Sequence, residues 1–239
     1  VKRIVKIRAK LAKRDPVKFI SHLDLMNTLT RALRRAKIPI GFSQGYNPRP
    51  LISFGSALAV GITSSSEYID FELKEKYRVA KFKQELNLEL PIGIKVLEVE
   101  EIPQQTKSLM AQINAAEYKI KLQLKEEVKQ EEIEKMLQDF MEEEEIIVVR
   151  KRRNKSDRKF NLRPMVFKLG LSDVKDESIL IRTLIQTGSS GNLRPEELVK
   201  ALKERYPISE EFNLTNVHRL GMYVKRKEEL LTPFEVALE

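Results

Sequence analysis

The chain reads as an α+β protein built from two tandem ferredoxin-like (split βαβ) domains. Three observations predict this. Apolar periodicity switches between two-residue alternation and helical spacing in the order β-α-β-β-α-β. A closely related order returns after the PQQT stretch at 103–106, the best boundary in the sequence. The 239 residues, 41% hydrophobic and 33% charged, are enough to bury two globular cores. The expected domains are therefore 1–105 and 106–239.

In the first half, residues 1–14 (VKRIVKIRAKLAKR) alternate apolar and basic side chains, which predicts a half-buried strand and not a signal peptide. Ser21 opens a helix, and Asp24 three residues later completes a capping box. Leu23, Met26, Leu29 or Thr30, and Leu33 supply its apolar stripe, while Arg31, Arg34 and Arg35 cluster on another face. Lys37-Ile38-Pro39 ends it. Short strands follow at 51–54 and 68–73, then a helix over 78–88 and a strand over 93–101, with Pro91 between them. In the second half, 107–115 is a short helix and YKIKLQL at 118–124 alternates as a strand. Residues 126–145 hold ten acidic residues and two lysines, with Val128, Ile133, Met136, Leu137 and Phe140 marking a helical core face. Strands are expected at 146–153, 165–171, 178–187 and 218–225. The helix over 195–206 has Pro195 at its first position and Glu196 and Glu197 near its positive end.

Composition narrows the chemistry. The chain contains no cysteine, which excludes disulfides, thiolate metal sites and an iron–sulfur cluster of its own. With only His22 and His218, a zinc site would need carboxylates. No apolar run approaches the ~20 residues of a membrane span, and the expected location is cytoplasmic. The net charge of +9 is uneven: residues 1–105 carry 19 Lys/Arg against 11 Asp/Glu, residues 106–239 carry 25 against 24. Twelve basic residues lie within 1–37 against Asp15 and Asp24, and RKRRNKSDRK at 150–159 carries seven basic residues and one acidic. Such fields attract polyanions, with nucleic acid the default partner, although a solvated basic surface has the same composition.

The segment FSQGYNPRPLISFGSALAVG at 42–61 is the most informative for function. Its glycines permit close backbone approach, and Pro48 and Pro50 stiffen the residues around Arg49. The expected product is a rigid exposed loop presenting Tyr46, Asn47 and Arg49 to a nucleic-acid backbone or base; the bland alternative is a structural connection. Arg-Pro recurs at Arg163 and Arg194. TGSSGNLRPEE at 187–197 leads into a helix N-terminus, as an anion site would, but lacks the Gly-Lys-Ser/Thr ending of a P-loop. An ordinary β-to-α turn uses the same residues.

The 42–61 segment, SSSEYIDFEL at 64–73, KFNLRPMV at 159–166, TGSSGNLRPEELVKAL at 187–202 and FISHLDLMNTLTRALRRAKIP at 19–39 together resemble the bacterial radical SAM-linked protein family. The resemblance covers most of the chain. It implies a domain of unknown function that accompanies, or is fused to, a radical SAM enzyme, often among genes for ribosome and RNA metabolism. It carries over no catalytic residue. The three-cysteine cluster motif is missing, so radical chemistry, with its iron–sulfur cluster and S-adenosylmethionine, would belong to a partner.

The resulting expectation is a non-catalytic RNA-binding or substrate-presenting subunit. Its basic first strand and helix would hold phosphates, and its contacts would come from Arg31, Arg34, Arg35, Tyr46, Asn47, Arg49, Arg150, Lys151, Arg152, Arg153, Arg163 and Arg194. One alternative is a metal-independent endoribonuclease, similar to tandem ferredoxin-like CRISPR RNA-processing enzymes, with His22 as general acid or base assisted by Tyr46 and Arg49. Another is a protein-binding adaptor that docks through the acidic helix at 126–145.

Overall fold

The computed structural model describes residues 5–126, 128–151, 156–175, 177–206, 208 and 212–238. The first half contains β1 (Val5–Lys13), α1 (His22–Arg35), β2 (Ile52–Phe54), β3 (Thr63–Leu73), α2 (Val79–Glu89) and β4 (Ile94–Ile102). A short α3 (Leu109–Gln112) leads to β5 (Ala115–Gln123), α4 (Gln130–Glu142), β6 (Ile147–Arg150), β7 (Arg158–Asn161), β8 (Val166–Lys175) and β9 (Ser178–Gln186). The chain continues through α5 (Pro195–Lys203), β10 (Val217–Arg226), β11 (Glu229–Leu231) and α6 (Pro233–Ala237). The architecture is α+β, with one large mixed sheet running through both halves. β6 falls within the strand expected at 146–153, whereas β7, β11 and α6 were not anticipated.

The capping box at the start of α1 is present: Asp24 N–H donates to Ser21 Oγ at 3.2 Å and Ser21 N–H to Asp24 Oδ2 at 3.1 Å. Hydrogen bonds from the Ser21 hydroxyl and N–H hold the Asp24 carboxyl below its usual range. The buried face is Leu25, Leu29, Ala32 and Leu33, whereas Leu23 is 62% exposed. The apolar stripe is therefore rotated from the expected one, because two leucines flank Asp24 and only one can face the sheet.

The sheet's spine runs β4-β1-β3-β10-β5-β9-β8, with β2 added to β3 and β11 to β10. Within the first half the order is β4-β1-β3-β2, with every pair antiparallel. Within the second it is β10-β5-β9-β8, also antiparallel. The halves join where β10 lies parallel to β3, pairing His218 with Thr63 and Arg219 with Ser64. β2 pairs only with the 69–71 stretch of β3, leaving the Thr63 end of that edge to β10. One apolar cluster fills the first half around Ile7, Leu29, Phe71 and Phe82. A second fills the other half around Ile120, Phe140, Ile181 and Leu198, and it takes in Leu58 and Ile62 from the first. Tyr68, Leu109, Ile113, Met222 and Phe234 form a smaller cluster that draws on both halves. Among the described residues no helix is long and apolar enough to cross a membrane.

Most of the positive charge of β1 is directed inward, and the rest is paired, which corrects the expectation that this strand holds phosphates. Arg8 is fully buried and makes a two-point contact with Asp70, Nε to Oδ1 at 2.7 Å and Nη2 to Oδ2 at 3.0 Å. Lys6 adds a second cation at 3.6 Å from Asp70, and Lys10 pairs with Glu98 at 2.8 Å. The buried Lys13 ammonium donates to the Lys18 and Ile20 carbonyls. Burial lowers its pKa, Glu67 opposes that shift and Arg219 adds to it. The strand is central in the first half's sheet and both of its faces are covered, with seven of its nine residues buried.

His218 stands at the junction of the halves, its Nδ1 at 2.7 Å from Thr63 Oγ1 and its Nε2 at 2.8 Å from Ser65 Oγ. Burial first, then the charges of Arg14 and Lys119, push its pKa below 6.5. A cation disfavoured only in the folded state means that the unfolded chain takes up the proton first on acidification. Stability should therefore decline as the pH falls from about 6.5 towards the depressed folded value. His218→Gln should flatten this part of the profile, as measured by urea denaturation at about pH 7.5 and 5.5.

Candidate functional site

The glycine- and proline-rich segment performs two separate tasks, because β2 divides it. Phe42 bridges Pro50, Ser43 N–H donates to the Arg49 carbonyl at 2.8 Å, and Arg49 N–H donates to Ser43 Oγ at 3.0 Å. Residues 43–49 thus close into a narrow tip that presents a fully exposed Tyr46, with Asn47 and Arg49 also exposed. Beyond β2 the chain turns away. Gly55 N–H donates to the Tyr68 carbonyl and Gly61 N–H to the Lys18 carbonyl. Residues 55–59 form one wall of a cleft of about 450 Å³.

The opposite wall is the glycine- and serine-rich turn before α5, contributed by the second half. Leu193 N–H donates to the Gln186 carbonyl at 3.0 Å, Thr187 Oγ1 lies 3.0 Å from Asn192 Oδ1, and Thr187 N–H donates to the Asn114 carbonyl at 3.0 Å. Gly188 has φ +95°, and a Cβ there would lie 2.3 Å from the Ile113 carbonyl oxygen, so only glycine lets the turn pack this closely. Buried Tyr118 and Arg219 form the base of the cleft, and Met110, 63% exposed, lies at its edge. Two segments singled out separately in the sequence thus meet across the join between the halves.

Arg219 shapes this base. Its Nη1 donates to both Glu67 oxygens at 3.1 Å, Nε to the Tyr118 hydroxyl at 3.1 Å and Nη2 to the Ala57 carbonyl at 3.2 Å. The guanidinium therefore ties β10 to β3 and to the cleft wall at once. Arg150 does the same for the β6–β7 hairpin: Nε and Nη2 reach the two Glu197 oxygens at 2.5 and 2.7 Å, and Nη2 also reaches the Asn192 carbonyl at 2.7 Å. That anchor sets the basic hairpin against the first turn of α5. Lys151, Arg158 and Lys159 are exposed on it, while Arg152 and Arg153 lie outside the described residues. Arg194 is exposed at the rim of the cleft and makes no ion pair among the described residues.

The other expected contact residues are placed differently. Arg31 and Arg34 are exposed on α1, without an ion pair among the described residues, but Arg35 is bound to Glu89 through its side chain and its carbonyl. Arg163 is turned inward. Its Nε and Nη2 donate to the Met141 carbonyl in the last turn of α4 and its Nη1 to the Val166 carbonyl at 2.9 Å, so it closes a helix end. His22 packs edge-on against Phe54 at 4.5 Å between ring centroids, and no contact joins it to Tyr46 or Arg49 among the described residues. Among those residues, no three His, Asp or Glu side chains converge as a metal site would require.

Sequence reasoning missed the internal charges Arg8, Asp70, Glu67 and Arg219, together with Met110 and Tyr118. The one local signal was a charged residue inside an otherwise buried strand, as at Arg219, and it does not name a partner 152 residues away.

No curated protein matches the chain. Among solved structures it is similar to a chain of "Crystal Structure of a Cbf5-Nop10-Gar1 Complex", at 12% identity and TM-score 0.50, covering 94% of this chain and 52% of that one. A weaker likeness, TM-score 0.43 at 11% identity, is to a chain of "Crystal structure of the archaeal box H/ACA sRNP Nop10-Cbf5 complex", covering 95% of this chain and 52% of that one. The chain thus spans about half the length of these structures, and at such identity the first likeness is one of fold alone. Residues 6–195 match the sequence model of one family, so the chain belongs to the family described as "Uncharacterized protein conserved in bacteria (DUF2344)".

Proposed function

We propose that the chain is a non-catalytic RNA-binding or substrate-presenting partner of a radical SAM enzyme, acting in RNA or ribosome metabolism in the cytoplasm. The observation that carries the RNA reading is the anchoring of a basic hairpin beside a two-walled cleft, in a chain of net charge +9. Arg31, Arg34, Tyr46, Asn47, Arg49, Lys151 and Arg194 supply contacts from the surface; Arg35, Arg150 and Arg163 position the elements that carry them. The radical SAM partner rests on the family resemblance of the 42–61, 64–73 and 187–202 segments, and that partner would hold the iron–sulfur cluster and S-adenosylmethionine. The two halves, 1–105 and 106–239, are read as ferredoxin-like domains. Their strand orders, β4-β1-β3-β2 and β10-β5-β9-β8, support this, with β10 occupying the edge of β3 that short β2 leaves open.

Titration of single-stranded RNA against salt tests the reading. With about six phosphates contacted, log K should fall with log salt at a slope near −4. No binding at about 50 mM salt, or binding indifferent to salt, would overturn it. Arg49→Ala should weaken binding roughly tenfold and make the slope shallower by about 0.7, with the melting temperature unchanged. Arg163→Ala should instead lower the melting temperature and leave the slope alone.

The non-catalytic part has its own test. Pooled cellular RNA incubated with the purified chain, without added metal, should remain intact. Cleavage lost in His22→Ala would replace this reading with an endoribonuclease.

A further inference from the structure

The cleft between the two halves has the size and lining for one nucleotide rather than for a length of backbone. Its volume of about 450 Å³ lies towards the low end of the roughly 300–1,000 Å³ of small-molecule sites. The wall at 55–59 presents Ala57 and Ala59, small exposed residues that leave space for a flat ring, with Leu58 buried behind them and Gly55 buried against Ile113 and Met222. Met110 offers an exposed, polarisable thioether at the edge, a surface suited to an aromatic face. Across the cleft, Ser189 and Asn192 are exposed and can exchange hydrogen bonds with a base edge or a ribose hydroxyl. Glu196 contributes an acceptor for an amino or hydroxyl group, and Arg194 contributes a cation at the rim.

The base of the cleft is already complete. Arg219 is bound by Glu67, Tyr118 and Ala57, and no buried side-chain polar atom lacks a partner among the described residues. Apart from this satisfied base the slot is mostly apolar with polar groups at its rim, a poor host for a bare phosphate and a good one for a base. Basic residues of the β6–β7 hairpin stand on the α5 side, where flanking phosphates can lie while one base leaves the stack.

We infer that this cleft takes a single unstacked nucleotide of a single-stranded RNA, its base against the Gly55–Ala59 wall and Met110 and its phosphate towards Arg194. The inference rests on the RNA-binding reading above and names the place where a base, as opposed to the backbone, is held.

The test uses the full chain and a short oligoribonucleotide of 4-thiouridine, in which every base can crosslink and the binding register does not matter. Near-ultraviolet irradiation followed by mass spectrometry of the peptides should place crosslinks within 55–59, at Met110, or within 188–194. Ala57→Trp, at an exposed position on the wall, should fill the cleft, lower affinity roughly tenfold and remove those crosslinks. It should leave the salt slope and the melting temperature as they are. Crosslinks confined to the 43–49 tip or the hairpin, with Ala57→Trp binding like the unaltered chain, would overturn the inference and leave the RNA reading standing. An unaltered chain that neither binds nor crosslinks RNA would overturn both.

Discussion

Arg8→Ala should destabilise the protein by about 3–5 kcal/mol, the largest loss expected from any single exchange of a charged residue here. Its guanidinium is fully buried and meets Asp70 through two hydrogen bonds, at 2.7 and 3.0 Å. Truncation leaves the Asp70 carboxylate, itself 1% exposed, with Lys6 at 3.6 Å as its remaining cation. That distance is too long for a good hydrogen bond, so the carboxylate is left poorly compensated in a medium that solvates it badly. The same guanidinium also donates to the Pro233 carbonyl at 2.5 Å, so the loss should reach the α6 segment. Urea denaturation measures the first effect, and faster amide exchange over 229–238 the second. Arg8→Met combined with Asp70→Leu should recover much of the loss, because the penalty comes from orphaning a charge and not from lacking a pair. A double variant as unstable as Arg8→Ala would show that packing volume, not charge, governs the site.

Arg219→Leu should cost about 3 kcal/mol, towards the lower end of the same range, for an identifiable reason. Glu67 loses its main partner, but Lys13 lies within electrostatic reach, and Arg219 is one of the charges lowering the Lys13 pKa. Removing Arg219 lets Lys13 hold its proton more firmly and compensate Glu67 in part. The more diagnostic consequence is mechanical. Arg219 links β10 to Glu67 on β3 and to the Ala57 carbonyl in the cleft wall, so its loss weakens the join between the halves. The denaturation curve should broaden, with a smaller apparent m-value as the halves begin to unfold separately. An unchanged m-value with a simple midpoint shift would mean that the shared sheet and the Tyr68–Phe234 cluster suffice to couple them.

Local chemistry made most elements legible. Alternation marked β1 and β5, the Ser21–Asp24 pair marked the start of α1, and Pro195 marked the start of α5. These signals act within a few residues, where backbone propensity and capping are decided. The exposure of Tyr46, Asn47 and Arg49 was legible for the same reason, since Pro48 and Pro50 stiffen a tip too polar and too short to bury. The strongest misreading concerned charge. A lysine or arginine in an alternating strand looks the same in sequence whether it faces water or a carboxylate 62 residues away, as Arg8 does.

The sequence by itself determined most of the run of strands and helices, an exposed loop within 42–61 presenting Tyr46, Asn47 and Arg49, and the basic surplus concentrated in the first 105 residues. Only the tertiary structure decided what those features face. It merged the two halves into one sheet through β3 and β10, turned Arg8, Lys13, Arg163 and Arg219 inward, and brought residues 55–59 and 188–196 together as a cleft. The physical reason is range. Periodicity, caps and turns are settled among neighbours in the chain, whereas the partner of a buried charge or the opposite wall of a cleft is settled by sheet pairing between distant segments, 62 residues apart for Arg8 and Asp70 and 152 for Arg219 and Glu67.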